Sequence, residues 1–184
     1  GQTIVAGTTD TGNHADDGFT PITLPFPVSF YGTSFTNANV VSNGNMQFTS
    51  TNTAFTNACL PDPTMTDLIA PFWDDLRTDQ VGAGCASFSS GCGIFTSISG
   101  SAPNRIFNIE WRAVYFAAAT STANMEIRIH ETSNVIDFVY GTMNSTGDSA
   151  TIGLQKGTGS QVNQFECNSG GISTGFGIAY TPTG

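Results

Sequence analysis

Lysine is almost missing from this chain. Lys156 is the only one, and with four arginines it stands against fourteen acidic residues for a net charge of −9. A surface of that sign repels phosphate backbones and anionic lipid heads, which excludes nucleic acid and acidic membranes as natural partners. No apolar run approaches the roughly 18 residues a membrane-spanning helix needs, so no insertion is expected. Nor does any segment keep a period near 3.6, so helix should be scarce. Charged residues are only 10% of the chain, well under the roughly 25% of an ordinary soluble domain. The chain opens at Gly1 with neither methionine nor a basic-then-apolar leader. The expectation is an extracellular or cell-surface protein after signal-peptide removal.

Several signatures of chemistry are missing too. There is no G-x-S-x-G elbow to expose a serine, no C-x-x-C and no EF-hand spacing. The glycine-rich "GTGS" and "NSGGISTG" neither lead from a strand into a helix nor carry a phosphate-binding lysine, so nucleotide binding is unsupported. Cysteine is sparse, with four residues: Cys59, Cys85, Cys92 and Cys167. Four allow three pairings. The short "CASFSSGC" loop makes Cys85–Cys92 the cheapest bridge, which leaves Cys59–Cys167 to close a long loop worth roughly 4 kcal/mol. A zinc site is the rival, disfavoured because both histidines lie far from the cysteines in sequence.

What is present is β-prone. Aromatics make up 11%, fourteen of them Phe, and Thr, Ser, Asn and 21 Gly fill the polar positions. "NRIFNIEWRAVYFA" alternates, with Phe107, Ile109, Trp111 and Ala113 facing one way and Asn108, Glu110 and Arg112 the other. "NMEIRIHE" repeats this, Met125, Ile127 and Ile129 inward, Glu126, Arg128 and His130 outward; "VIDFVYG" follows with Ile136, Phe138 and Tyr140 on one face. The outward charges suit a solvated sheet face with opposite signs paired across strands. Asn43-Gly44 in "NVVSNGNMQF" predicts a type I′ hairpin. Pro21, Pro25 and Pro27 confine their strand to an edge or bulge, and Pro71 interrupts "DLIAPFWDD". Roughly nine to eleven strands predict an all-β fold over residues 1–184, a single two-sheet antiparallel β-sandwich, jelly-roll-like, with very little helix.

The order "LPFPVSFYGTSF…VVSNGNMQF…LIAPFWDDL…APNRIFNIEWRAV…MEIRIHETSNVIDFVYG…SATIGLQ" resembles a module of secreted bacterial proteins akin to nidogen-like extracellular domains. Its marks are an S-N-G hairpin, an A-P-F-W-x-D block and a late G-x-Q strand. The resemblance runs from about Phe19 to Gln155 and leaves the first eighteen residues outside. It implies a surface, adhesive or matrix-type sandwich with no assigned catalytic residue, and the "ACLP" and "FEC" cysteines fit such modules.

Candidate sites are few. Asp74 and Asp75 are adjacent in a strand and point to opposite faces, which argues against a matched acid/base pair. With Asp67 or Asp79 they could give calcium hard oxygen ligands; the plain alternative is that they bond turn amides while Trp73 anchors the core. "DTGNHADDG" gathers Asp10, His14, Asp16 and Asp17 as a weak metal set or a mobile acidic loop. His130, beside Glu131, has no nucleophile to serve. Tyr31, Tyr115, Phe116 and Tyr180 are the aromatics that could stack on a sugar ring, unless they are core. Asn144-Ser145-Thr146 fits the N-glycosylation pattern. Finally, Thr3, Ile4, Val5 and Ala6 form a short β-prone run ahead of a loop, and residues 1–18 read as an exchangeable strand and linker. Added to a neighbour's sheet edge, that run would build a filament. The expectation is a non-enzymatic structural or adhesive subunit that self-associates; the alternative is a monomeric glycan- or ligand-binding module, with calcium assisting.

Overall fold

The computed structural model describes residues 2–183. Thirteen strands and one short helix appear among them: β1 (Thr9–Asp10), β2 (Phe19–Phe30), β3 (Thr33–Val41), β4 (Asn45–Gln47), β5 (Leu68–Trp73), β6 (Leu76–Arg77), α1 (Gly82–Ala86), β7 (Gly93–Ser99), β8 (Ile106–Tyr115), β9 (Ala118–His130), β10 (Ile136–Met143), β11 (Thr151–Lys156), β12 (Gln161–Cys167) and β13 (Gly177–Tyr180). They form two antiparallel sheets, ordered β1-β7-β8-β9-β10-β13, with β6 also on β8, and β12-β11-β5-β4-β3-β2. Strands 2 to 5 stay in one sheet and 7 to 10 in the other, joined by short hairpins except for the long loop between β4 and β5. The fold is the all-β sandwich that the alternation predicts.

The period-two pattern places the core. Phe107, Ile109, Trp111, Met125, Ile127 and Phe138 are buried with Phe30, Val40, Met46, Phe72 and Ile152 from the facing sheet. Trp111 also donates its indole N–H to the Val41 carbonyl at 2.9 Å, which ties the sheets together. Trp73 takes a different place: it packs with Met65, Leu68 and Ala70 in a satellite cluster on the other side of β5. There its indole N–H reaches the Ala54 carbonyl at 3.0 Å, so it anchors the long loop before β5. Gln155, wholly buried in β11, fixes the same loop by accepting from Asp62 N and donating to the Asp62 and Met65 carbonyls. The W and Q of the family marks are thus loop-holding residues.

Two local expectations change. The S-N-G turn is a three-residue loop with Val41 opposite Asn45, and only Gly44 has positive φ, at 76°. Asn43 stays out of the left-handed region because its buried side chain is committed, accepting from Leu76 N and donating to Asp17 and Thr53. A Cβ on Gly44 would sit 1.8 Å from the Phe72 carbonyl oxygen. The type I′ hairpin occurs instead at Tyr31-Gly32, φ 48° and 82°, between the paired residues Phe30 and Thr33. Pro71 does not end its strand: β5 runs through it, and the ladder to β11 shifts register there, which accommodates the missing N–H.

Two disulfides close the molecule. Cys59–Cys167 spans 108 residues and Cys85–Cys92 spans seven.

Candidate functional site

The outward face of β8 and β9 is where the structure departs most from expectation. Glu110, Arg112 and Glu126 are 4%, 9% and 0% exposed, not solvated. The amino-terminal residues 2–7 lie across them as a strap. Val5 N–H donates to Glu126 Oε1 and Gly7 N–H to Glu110 Oε1, both at 2.9 Å. Arg112 donates to the Gly7 carbonyl at 2.9 Å, and Arg128 to Gln2 Oε1 at 2.7 Å. Alternation could show which side chains leave the core; it could not show that another segment of the chain covers them.

The run Thr3–Ala6 therefore joins no sheet in the monomer, and only Thr9–Asp10 pairs, with Thr96 and Phe95 of β7. Gly7 is buried, and a Cβ there would meet Phe95 at 2.5 Å. Beneath the strap, Arg112 pairs with Glu110 at 2.8 Å and lies 4.0 Å from the Phe95 ring centroid. Glu126 is worse served. Its Oε2 has no hydrogen-bond partner among the described residues, and burial, with the Glu110 charge adding to it, pushes its carboxyl up to about 8.

The sheet edges differ in their protection. β2 carries Pro21, Pro25 and Pro27 and a register break between Thr23 and Val28. β7 is covered at Phe95–Thr96 by β1, and β13 has only four residues. β12, "QVNQFEC", is an edge strand with five consecutive exposed residues and no proline or lysine; its ladder to β11 is regular over Gln161–Gln164 and bulges at Phe165. Its one charge, Glu166, is turned to the Ser169 and Gly170 amides. An exposed edge with a regular run and no charge pointing outward can template pairing with another chain.

The carboxylates regroup. Asp75 converges with Asp16 and Asp17, their oxygens within 4.8 Å of one another, while Asp74 turns away to Ser149 Oγ at 2.8 Å. Asp67 accepts from Gly157 N and Asp79 holds Arg77 at 2.7 Å. Burial and mutual repulsion raise Asp16 and Asp75 above the usual carboxylate range. Three such carboxylates are the residues here that could hold a divalent cation, and they draw two members from one sequence candidate and one from the other. Asp10 and His14 pair with each other at 2.8 Å. His130 Nε2 lies 2.6 Å from Asp137 Oδ2, and no serine, threonine or cysteine bonds it among the described residues.

The aromatics divide. Tyr31 and Tyr180 line one cleft at an end of the sandwich, Tyr115 packs edge-on to Phe72, and Phe116, half exposed, lies under Arg77. Asn144 is exposed just after β10, its Oδ1 accepting from Thr122 N and Oγ1.

No curated protein and no solved structure gives a significant match to the chain. A family model described as NIDO related matches residues 2–175, which brings in residues 2–18 that the motif resemblance leaves out. With nearly all of its length inside that match, including the amino-terminal strap, the chain belongs to the nidogen-related family.

Proposed function

We propose that this is a non-enzymatic extracellular structural or adhesive subunit that assembles by strand addition, residues 2–7 of one copy joining edge strand β12 of the next. The observation that carries the reading is β12 itself, an edge exposed and regular over Gln161–Gln164, with no proline or lysine and its one charge turned aside. The donor "QTIVAG" is neutral and β-prone, and in the monomer side chains hold it instead of a ladder. Its release returns Glu126 and Glu110 to water, which offsets part of the lost bonding. Main-chain hydrogen bonds to β12 then supply affinity, and the head-to-tail contact propagates as a filament. Two disulfides and the nidogen-related family support an extracellular setting.

Deleting residues 1–8 tests this. The truncated protein stays folded by circular dichroism and forms no filaments in electron micrographs under conditions where the full chain does. Filaments that persist after the deletion, or a full chain that stays monomeric by light scattering, overturn the reading.

A further inference from the structure

A cleft of about 650 Å³ opens at the end of the sandwich where the Tyr31-Gly32 hairpin, the start of β10, the β11–β12 hairpin and the segment after β13 meet. That volume falls within the usual range for a small-molecule site, roughly 300–1,000 Å³. Its floor is apolar, formed by Phe30, Ile136 and Leu154. Its walls carry amide side chains, Asn134, Gln161 and Asn163, together with two phenols and Lys156.

Three observations point to a ligand. First, Tyr31 occupies the first central position of a type I′ turn at φ 48°, where asparagine, aspartate or glycine would be at ease. Its partly buried ring lines the cleft, packed edge-on to Phe30 at 4.8 Å, and a conformational cost kept at a cleft points to a use such as stacking on a ligand ring. Second, the Tyr180 hydroxyl is buried and unpartnered among the described residues. Burial and the nearby Tyr31 phenol push it well above the usual phenol range, so it stays a neutral donor. Third, charge is distributed unevenly. In a chain with fourteen acidic residues and five basic ones, no carboxylate side chain lines this cleft, and the only lysine does. Lys156 forms no ion pair among the described residues.

We propose that this cleft binds a saccharide that carries a carboxylate, a hexuronate unit stacked on Tyr31 with its acid group at Lys156 and its hydroxyls on Tyr180 and the amides. Each amide both donates and accepts, which matches neighbouring sugar hydroxyls. The ammonium supplies the preference for an acid, as a mobile point charge rather than a fixed fork. Gln161 and Asn163 belong to β12 as well, but this inference needs only a monomer, so binding is read on protein that light scattering shows to be monomeric.

The test is calorimetric titration of the full chain with a galacturonic acid trisaccharide and with the matching galactose trisaccharide, with light scattering alongside. The acidic sugar should bind at least tenfold more tightly, and 0.5 M salt should remove most of that difference. Lys156→Gln should weaken the acidic sugar at least fivefold and leave the neutral one unchanged. Tyr31→Asn suits the turn better, so it should weaken both sugars without lowering the melting temperature. Equal binding of the two sugars, no binding of either, or an acidic-sugar affinity that Lys156→Gln leaves unchanged each overturns the proposal.

Discussion

Glu126 is the residue at which folding and ionisation conflict. Its carboxyl titrates near 8 in the folded protein because burial disfavours the charge, whereas in the unfolded chain it titrates at the ordinary carboxylate value. Between about pH 4.5 and 8 the folded state therefore holds a proton that the unfolded state has released. Stability contributed by this site falls as pH rises through that window and levels off above it. Glu126→Gln keeps an oxygen for the Val5 amide and removes the charge. Thermal melts should show wild type and variant alike near pH 4.5, with the variant ahead by up to about 4–5 kcal/mol at pH 8.5. A variant that tracks the wild type across the whole range would show that the strap already admits water to this carboxylate. Little of this was legible beforehand. The sequence showed that Glu126 leaves the core, but burial by a segment more than a hundred residues away leaves no local periodic trace. Asp75 taught the same lesson, because its carboxylate partners come from the loop before β2.

Among the elements, alternation worked where a strand has two unlike faces. The inward sets of β8, β9 and β10 are all in the core. Alternation is blind to ladder edges, and it missed β12 altogether, because a strand exposed on both faces has no apolar side to alternate. Placing one charge on such an edge is a known protection. Val162, 37% exposed in β12, is the place for it. Val162→Lys should abolish filaments in electron micrographs while changing unfolding free energy by no more than about 0.5 kcal/mol, as surface substitutions usually do. Loss of assembly only with a large loss of stability would indicate a folding defect instead. The hairpins were half legible for a related reason. Asn-Gly is a turn signal, but the long-range bonds of Asn43 decide its type, and Tyr31-Gly32 carries no such signal at all.

At the scale of the whole molecule, Cys59–Cys167 joins the long loop before β5 to the end of β12. Closing a loop of 108 residues is worth about 4–5 kcal/mol in chain entropy. Replacing both cysteines by serine should lower the unfolding free energy by that amount in urea titrations, whereas the Cys85–Cys92 pair, only seven positions apart, should cost less. Equal losses would show that the long bridge gains little from loop closure.

The same clasp has a mechanical meaning. Suppose tension runs along a string of these subunits, entering at β12 and leaving through residues 2–7. Apart from β12 itself, the stretch closed by the bridge then lies outside the load path and cannot pay out. Only the chain ahead of Cys59 can unravel, a tether of roughly 200 Å at most when drawn straight. Each link would yield a short, fixed length and then hold on a covalent bond, behaving as a shock absorber with a built-in stop.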